Sequence, residues 1–498
     1  MKLSKISALF AIAALTATLL PSCQKEDDSP FGILTMSLTM PNGKTVACAV
    51  NQELLTIDNA ADPVEVGMPA PLYTMKVTYT ATLDTKVTYN GADLVSGETA
   101  IDFSAPVTLV ASKQGKKTVR TNTYTVTLKS DTNDKSETEG KKVNADMTSG
   151  GFPKALYYDI ALFKDAFWAI TATYPNGTSP KDPAFYHVYK SIDGISWEKV
   201  ATNLKIIGGV GARLVVFKDK LWSFGGGRYY GTDEEGNESS LSWDGVSPEM
   251  DIPEFFVYST SDGTNWAKET VEVEGSAFAL PGCIDPKVVN TGSTLVYLGS
   301  LVASFGMLQG AAAIVTSTDG IHWKVNADAN KAENAGAAFL REKINSCAYS
   351  FNGKLYNAGG FDNFVDPKYL KTNVFVSADN GATWSLAAED GGFGPRFGMR
   401  VVGTDKVLYM VGGQTFDKDG KTPVASNQVY RSTDGAHWTA LSGENAMASA
   451  FEGRVRANVV AYGDMMWVFG GRGLTSGFYG AIDAKDPVLY DVWKKRIK

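Results

Sequence analysis

At 498 residues the chain is too long for one ordinary core, and a formal charge of −7 argues against a phosphate-binding surface, so at least two domains and no nucleic-acid partner are expected. Its 50 Gly, 21 Tyr, 24 Phe and 10 Trp, with 20% charged residues, describe a folded, β-rich protein rather than a disordered one. Three histidines cannot assemble a zinc cluster or a histidine-ligated copper site, so no metal and no cofactor is assigned.

Residues 1–22 read as an export signal: Lys2 and Lys5 open it, and the apolar run from Ile6 to Leu20 is short for a membrane span. The boundary Leu20-Pro21-Ser22-Cys23 resembles the lipobox of bacterial lipoproteins, which implies that Cys23 is acylated and becomes the mature N-terminus. A plain secretory signal with an incidental cysteine is the alternative. The following Gln24-Lys25-Glu26-Asp27-Asp28 resembles the acidic export tag of Bacteroidetes surface lipoproteins. Together they imply an outer-membrane lipoprotein exposed at the cell surface, with residues 23–31 as its tether and membrane contact through the lipid only. Cys48, Cys283 and Cys347 remain, an odd set expected as free, mostly buried thiols.

Residues 32–129 alternate with period two, as in Lys76-Val77-Thr78-Tyr79-Thr80, between hairpin signals Asn42-Gly43 and Asn90-Gly91. The pattern predicts a small immunoglobulin-like β-sandwich, resembling the spacer modules that Bacteroidetes lipoproteins carry behind the anchor. Residues 130–141 are polar and charged, a linker.

Residues 142–498 carry a repeat of roughly 55 residues that predicts a propeller of four-stranded blades. Six second strands align as Phe167-Trp168, Leu221-Trp222, Val296-Tyr297, Leu355-Tyr356, Leu408-Tyr409 and Met466-Trp467, four of them leading to a double glycine. Third strands end in Ser191 to Trp197, Thr260 to Trp266, Ser317 to Trp323, Ser377 to Trp384 and Ser432 to Trp438, each with an Asp and a Gly between hydroxyl and indole. The sixth blade runs out before a fourth strand, whereas Lys142-Val143-Asn144-Ala145-Asp146 repeats Lys324-Val325-Asn326-Ala327-Asp328 of blade three. The N-terminal segment is therefore expected to complete the last blade and close the ring.

The glycine pairs resemble the kelch repeat, and the Ser/Thr-x-Asp turns resemble the Asp-box of sialidase-like propellers. Both imply structural roles: the hydroxyl and carboxylate hold a tight turn, and glycine ends a strand under close backbone approach. The whole resembles Bacteroidetes lipoproteins with galactose-oxidase-type propellers, from which fold transfers and activity does not.

Basic residues recur before the inner strands, at Lys154, Arg213, Lys287, Arg341, Lys343, Arg396, Arg400, Arg454 and Arg456, bordering the channel mouth, where they either meet a ligand or pair with neighbouring carboxylates and backbone around the ring. The longest loop, 227–253, adds aromatics on the same face. Candidate ligand contacts are Arg213, Arg228, Tyr229, Tyr230, Trp243, Phe361, Arg396, Arg400, Phe416, Arg456 and Arg472, because rings beside hydrogen-bonding groups suit a glycan or a peptide. The first functional reading is a binding module for glycan or glycoprotein in nutrient acquisition. A protein-interaction scaffold or adhesin is the second. A sialidase-like glycosidase is the third, and the chain leans away from it, because no Tyr/Glu nucleophile pair stands out and no catalytic residue is assigned.

Overall fold

The computed structural model describes residues 30–115, 118–131, 139–155, 157–173, 185–204, 212–225, 231–232, 238–239, 257–274, 280, 287–299, 313–328, 336–340, 343–362, 369–474 and 487–497. The N-terminal strands are β1 (Ile33–Thr39), β2 (Thr45–Asn51), β3 (Thr56–Asp58), β4 (Thr74–Ala81), β5 (Thr85–Tyr89), β6 (Ala92–Asp93), β7 (Ala100–Asp102), β8 (Val107–Gln114) and β9 (Val119–Thr127). Alternation does what period two demands: Val107, Leu109 and Ala111 face inward while Thr108 faces solvent. The two-layered sandwich expected from the sequence takes the form of one curled sheet, in the order β6-β5-β8-β9-β3-β2-β1-β4-β7. The parallel pairing of β3 with β9 joins its halves around a single core of Ile33, Leu38, Met75, Val77, Leu109 and Tyr124. Asn90 and Gly91 both take positive φ, as the tight hairpin turn between β5 and β6 requires.

The C-terminal region is a six-bladed propeller. Inner strands Tyr157–Phe163, Arg213–Phe217, Lys287–Asn290, Cys347–Phe351, Arg400–Gly403 and Asn458–Tyr462 touch in cyclic order, the last meeting the first. The ring closes as expected: β10 (Lys141–Asn144) pairs antiparallel with Val488–Arg496, setting Lys142 opposite Trp493, so blade six is built from both ends of the domain. Blade three carries a fifth strand, Glu272–Glu274, parallel to His322–Asp328.

One alignment is corrected by register. The turn hydroxyl of each third strand faces a fixed place on the second strand: Ser377 opposite Leu355, Ser432 opposite Leu408 and Ser317 opposite Leu295. Blade three therefore aligns at Leu295-Val296, and Val296, not Tyr297, fills the slot held elsewhere by Trp168, Trp222, Tyr356, Tyr409 and Trp467. Sequence alignment followed the aromatic ring, whereas the pairing follows the turn.

The five turns hold themselves as their residue types dictate. In blade three the Ser317 hydroxyl lies 3.0 Å from Asp319 Oδ1 and accepts the Gly320 amide, and Asp319 Oδ1 accepts the amides of Ile321 and His322. Trp323 Nε1 donates to the Gly320 carbonyl at 2.9 Å.

The N-terminal domain packs on this turn face at blades six and one. Lys494, with a side chain only 1% exposed, reaches Glu65 Oε2 at 3.0 Å and the Val66 carbonyl at 2.9 Å. The Ala70 amide donates to the Tyr462 hydroxyl, and Asn42 Nδ2 donates to Asp193 Oδ2, each at 3.0 Å.

Candidate functional site

The opposite end of the ring, where second strands end and inner strands begin, carries a level of polar side chains. At equivalent register stand Asp159, Arg213, Lys287, Cys347, Arg400 and Asn458, opposite Ile170, Phe224, Leu298, Ala358, Val411 and Phe469. Several link one blade to the next. Asp159 is buried, accepts Arg213 Nη1 at 2.8 Å, and takes the Leu214 amide on its other oxygen at 2.7 Å. Asn458 does the same between blades six and one, accepting the Ile160 amide and donating to the Tyr158 carbonyl. Lys287 Nζ donates to Ser346 Oγ at 3.0 Å, and Asn357 Nδ2 bonds the same hydroxyl. Such pairing satisfies groups whose burial is otherwise costly.

A second set of cations lies just before the inner strands and turns inward. Arg454 has no exposed side-chain surface; its guanidinium holds both carboxylate oxygens of Asp491, at 2.9 and 3.1 Å, and the Gly470 carbonyl. Arg396 donates to the Gly412 carbonyl, Ser426 Oγ and the Tyr430 hydroxyl, with its guanidinium over the Tyr430 ring. Lys343 donates to the backbone and side-chain oxygens of Asn373. Burial pushes Arg396 below its ordinary pKa, and burial with Lys287 and Lys371 nearby pushes Lys343 well below. Each cation staples the blade entrance to the third strand of its own blade.

Between these staples and the inner strands the chain makes one left-handed residue per blade. Asn345, Gly398 and Arg456 have φ of 52°, 68° and 55° in blades four, five and six. The Gly398 amide donates to the Asn345 carbonyl at 3.0 Å, and the Arg456 amide donates to the Gly398 carbonyl at 2.8 Å, so the three turns are strung together around the mouth. Arg456 Nη2 reaches Asn345 Oδ1 at 3.4 Å, from blade six to blade four past the glycine of blade five.

The candidates thus separate. Arg400 and Arg456 are half-buried at the channel mouth, and Arg213 is there in its pair with Asp159. Arg472 is mostly buried on the second strand of blade six, its backbone bridged to Val455. Two candidates are corrected. Phe361 is buried in a small cluster with Ile344, Leu370 and Phe397, its ring edge-on to Phe397 at 4.9 Å, and Arg396 is consumed by its staple. Phe416 is half-buried against that cluster. Arg228, Tyr229, Tyr230, Trp243 and Cys23 lie outside the described residues. The pairing of basic residues with carboxylate and backbone around the ring was expected, but not which of them are buried; the available signal was an apolar residue directly after each, Ile344, Phe397 or Val455, followed by the left-handed position.

Among the described residues no group of three or more His, Cys, Asp or Glu side chains is placed to hold a metal ion. His322 and His437 bond Asp319 and Asp434 of their own turns through Nδ1, at 2.7 and 2.8 Å. Among the described residues Cys48 and Cys347 are in no disulfide, and burial, with Asp58 and Asp62 nearby, pushes the Cys48 thiol up to about 11. Cys283 lies outside the described residues. A cleft of about 720 Å³ opens on the outer side of blades three and four, lined by Glu272, Glu274, His322, Lys324, Asn326 and Asp379 among others. In the parallel pairing Glu272 stands opposite His322, 4.0 Å from its Nε2, and Glu274 opposite Lys324.

No protein-family model matches this chain, and no curated protein does. Among solved structures, one titled "Structure of YjhT" is similar with a TM-score of 0.42 and 13% identity, over 68% of this chain and 94% of that one.

Proposed function

We propose that this protein is a surface-anchored binding module that takes a glycan or glycoprotein on its loop face, around the channel mouth. The observation that carries the reading is Arg456. A left-handed backbone disfavours a long side chain, and blade five uses glycine at the equivalent turn. An arginine kept there at a conformational cost supports a role for its guanidinium, since strain of this kind concentrates at binding sites. With Arg400 it offers fixed donors to hydroxyl, carboxylate or amide groups of a ligand. Packing of the N-terminal domain against the turn face leaves the loop face on the far side from the tether, which suits a module that presents its site outward.

The test is a glycan-array screen of the soluble chain beginning near Ser29, repeated with Arg456→Gly. Binding that is lost or weakened in the variant supports the site. Binding to proteins but to no glycan moves the ligand to the second reading, an interaction scaffold.

A further inference from the structure

Among the described residues six large apolar side chains are strongly exposed, and four of them, Leu34, Leu54, Leu83 and Val119, lie at one end of the N-terminal domain. Hydrogen bonds bring their segments together. The Thr82 amide donates to the Gly32 carbonyl, Gln52 Nε2 donates to the Ile33 carbonyl, and Asn122 Nδ2 donates to the Phe31 carbonyl at 2.7 Å. Arg120 lies over the Phe31 ring at 4.7 Å. Leu54 and Leu83, 72% and 81% exposed, sit in the β2–β3 and β4–β5 turns, and Val119 begins β9. Leu34 is thrown outward at a register shift between β1 and β4. Single exposed apolar residues need no explanation, but four at one tip do.

Three facts bear on what this tip could meet. It is the end at which the chain enters the domain, at Phe31. It is opposite the end that packs on the propeller, where Asn42, Glu65 and Ala70 make their contacts. Among the described residues Glu53, Asp84, Lys113 and Arg120 stand around it, carboxylates and cations together, which suits a headgroup layer.

We infer that this tip rests on a lipid bilayer surface, with Leu34, Leu54, Leu83 and Val119 entering the headgroup region, so that the domain stands as a post between membrane and propeller. The inference rests on acylation of Cys23, the anchor part of the functional reading. From Cys23 to Phe31 the chain spans at most about 30 Å, so the lipid holds the tip within reach of the bilayer without placing it there. The acyl chains at Cys23 hold the chain to the bilayer, and contact of the exposed leucines sets how the domain stands on it.

The experiment is backbone hydrogen exchange, read by mass spectrometry, on the acylated full chain in phosphatidylcholine nanodiscs, with the Cys23→Ala chain in buffer as reference. Exchange in the turns at residues 51–55 and 82–85 should slow several-fold in the nanodisc, while the Asn90-Gly91 turn is unchanged. Leu54→Glu with Leu83→Glu should abolish that protection and leave nanodisc retention intact. Retention without protection overturns the tip contact and spares the anchor. Failure of the wild-type chain to enter nanodiscs overturns both. Equal protection of the Cys23→Ala chain in buffer overturns the tip contact, because the bilayer then adds nothing to the turns' own hydrogen bonds.

Discussion

Gly320 of blade three faces the indole of Trp222 of blade two so closely that a Cβ added there would lie 2.5 Å from the ring. The relationship recurs: Gly263 meets Trp168, Gly194 meets Trp467 and Gly435 meets Tyr356, each turn glycine receiving the aromatic second-strand residue of the preceding blade. Turn and aromatic are thus one inter-blade lock, and the turn glycine is required both for its positive φ, 88° at Gly320, and for the space. Gly320→Ala should destabilise the propeller by about 2–4 kcal/mol, through an overpacked contact and a strained backbone, as read by denaturant titration. Gly353, also at positive φ but with nothing near its Cβ position, should cost only the backbone part when changed to Ala.

Arg454 and Asp491 make the opposite kind of contact, charge against charge with little solvent. Arg454→Met leaves Asp491 buried without its partner and should cost about 3–5 kcal/mol. A second change, Asp491→Leu in the Arg454→Met background, should recover part of that loss, because two buried apolar groups need no pairing. Trp493 Nε1 also bonds Asp491, at 2.6 Å, which bounds the recovery. Thermal melts of the single and double variants check both statements.

Ring closure gives a third test. A chain beginning at Gly151 lacks β10 and leaves the edge of Val488–Arg496 unpaired, so it should lose several kcal/mol relative to one beginning at Gly140. Equal melting temperatures would show that β10 contributes nothing to the blade.

The turn carboxylates predict an acid limit. Burial alone pushes Asp434 up, but hydrogen bonds from the His437 amide and ring, the Ala436 amide and Ser432 bring it down to about 2, and Asp319 and Asp379 are lowered in the same way. A carboxylate with a depressed folded pKa stabilises fully above its unfolded value of about 4, and that stability is lost as pH falls through the folded value. The carboxylate contribution to propeller stability should therefore be constant from neutral pH to about 4 and fall between about 4 and 2. Asp434→Asn should flatten part of the fall. A midpoint of unfolding unchanged between those pH values would refute the linkage.

The propeller was legible because its punctuation is chemical: hydroxyl, carboxylate, glycine and tryptophan in one turn cannot be mistaken for strand or helix. The blade-closing strand was legible because Lys142 to Asp146 copies a stretch of blade three. Other features depend on direction, which composition does not carry. Arg454 and Arg456 are two residues apart, yet one is sealed against Asp491 and the other reaches across the channel mouth, because the left-handed turn at Arg456 redirects the chain between them. Phe361 looked like a loop aromatic because it follows a double glycine, but the backbone pairs it with Ile344 and Leu370 and turns its ring inward. The curled N-terminal sheet was hidden because period-two alternation fixes which side chains face the core and is silent on which strands pair.

Arg456 gives the prediction that separates stability from binding. Its φ of 55° is one that glycine adopts freely, as Gly398 does in blade five, so Arg456→Gly relieves the backbone. It also removes a 3.4 Å contact to Asn345 and adds chain entropy to the unfolded state, so the net effect on stability should be within about 1 kcal/mol of zero. Ligand affinity should instead fall about tenfold, the loss typical when one well-placed guanidinium contact is removed. Arg456→Lys keeps the charge without the planar fork and should recover only part of it. Trp243→Ala, a candidate from the sequence alone, should likewise weaken binding with little change in melting temperature. Measured together by calorimetric titration and thermal melts, an affinity loss with stability held would place the ligand at the mouth. A variant that binds as tightly as the parent would remove Arg456 from the site.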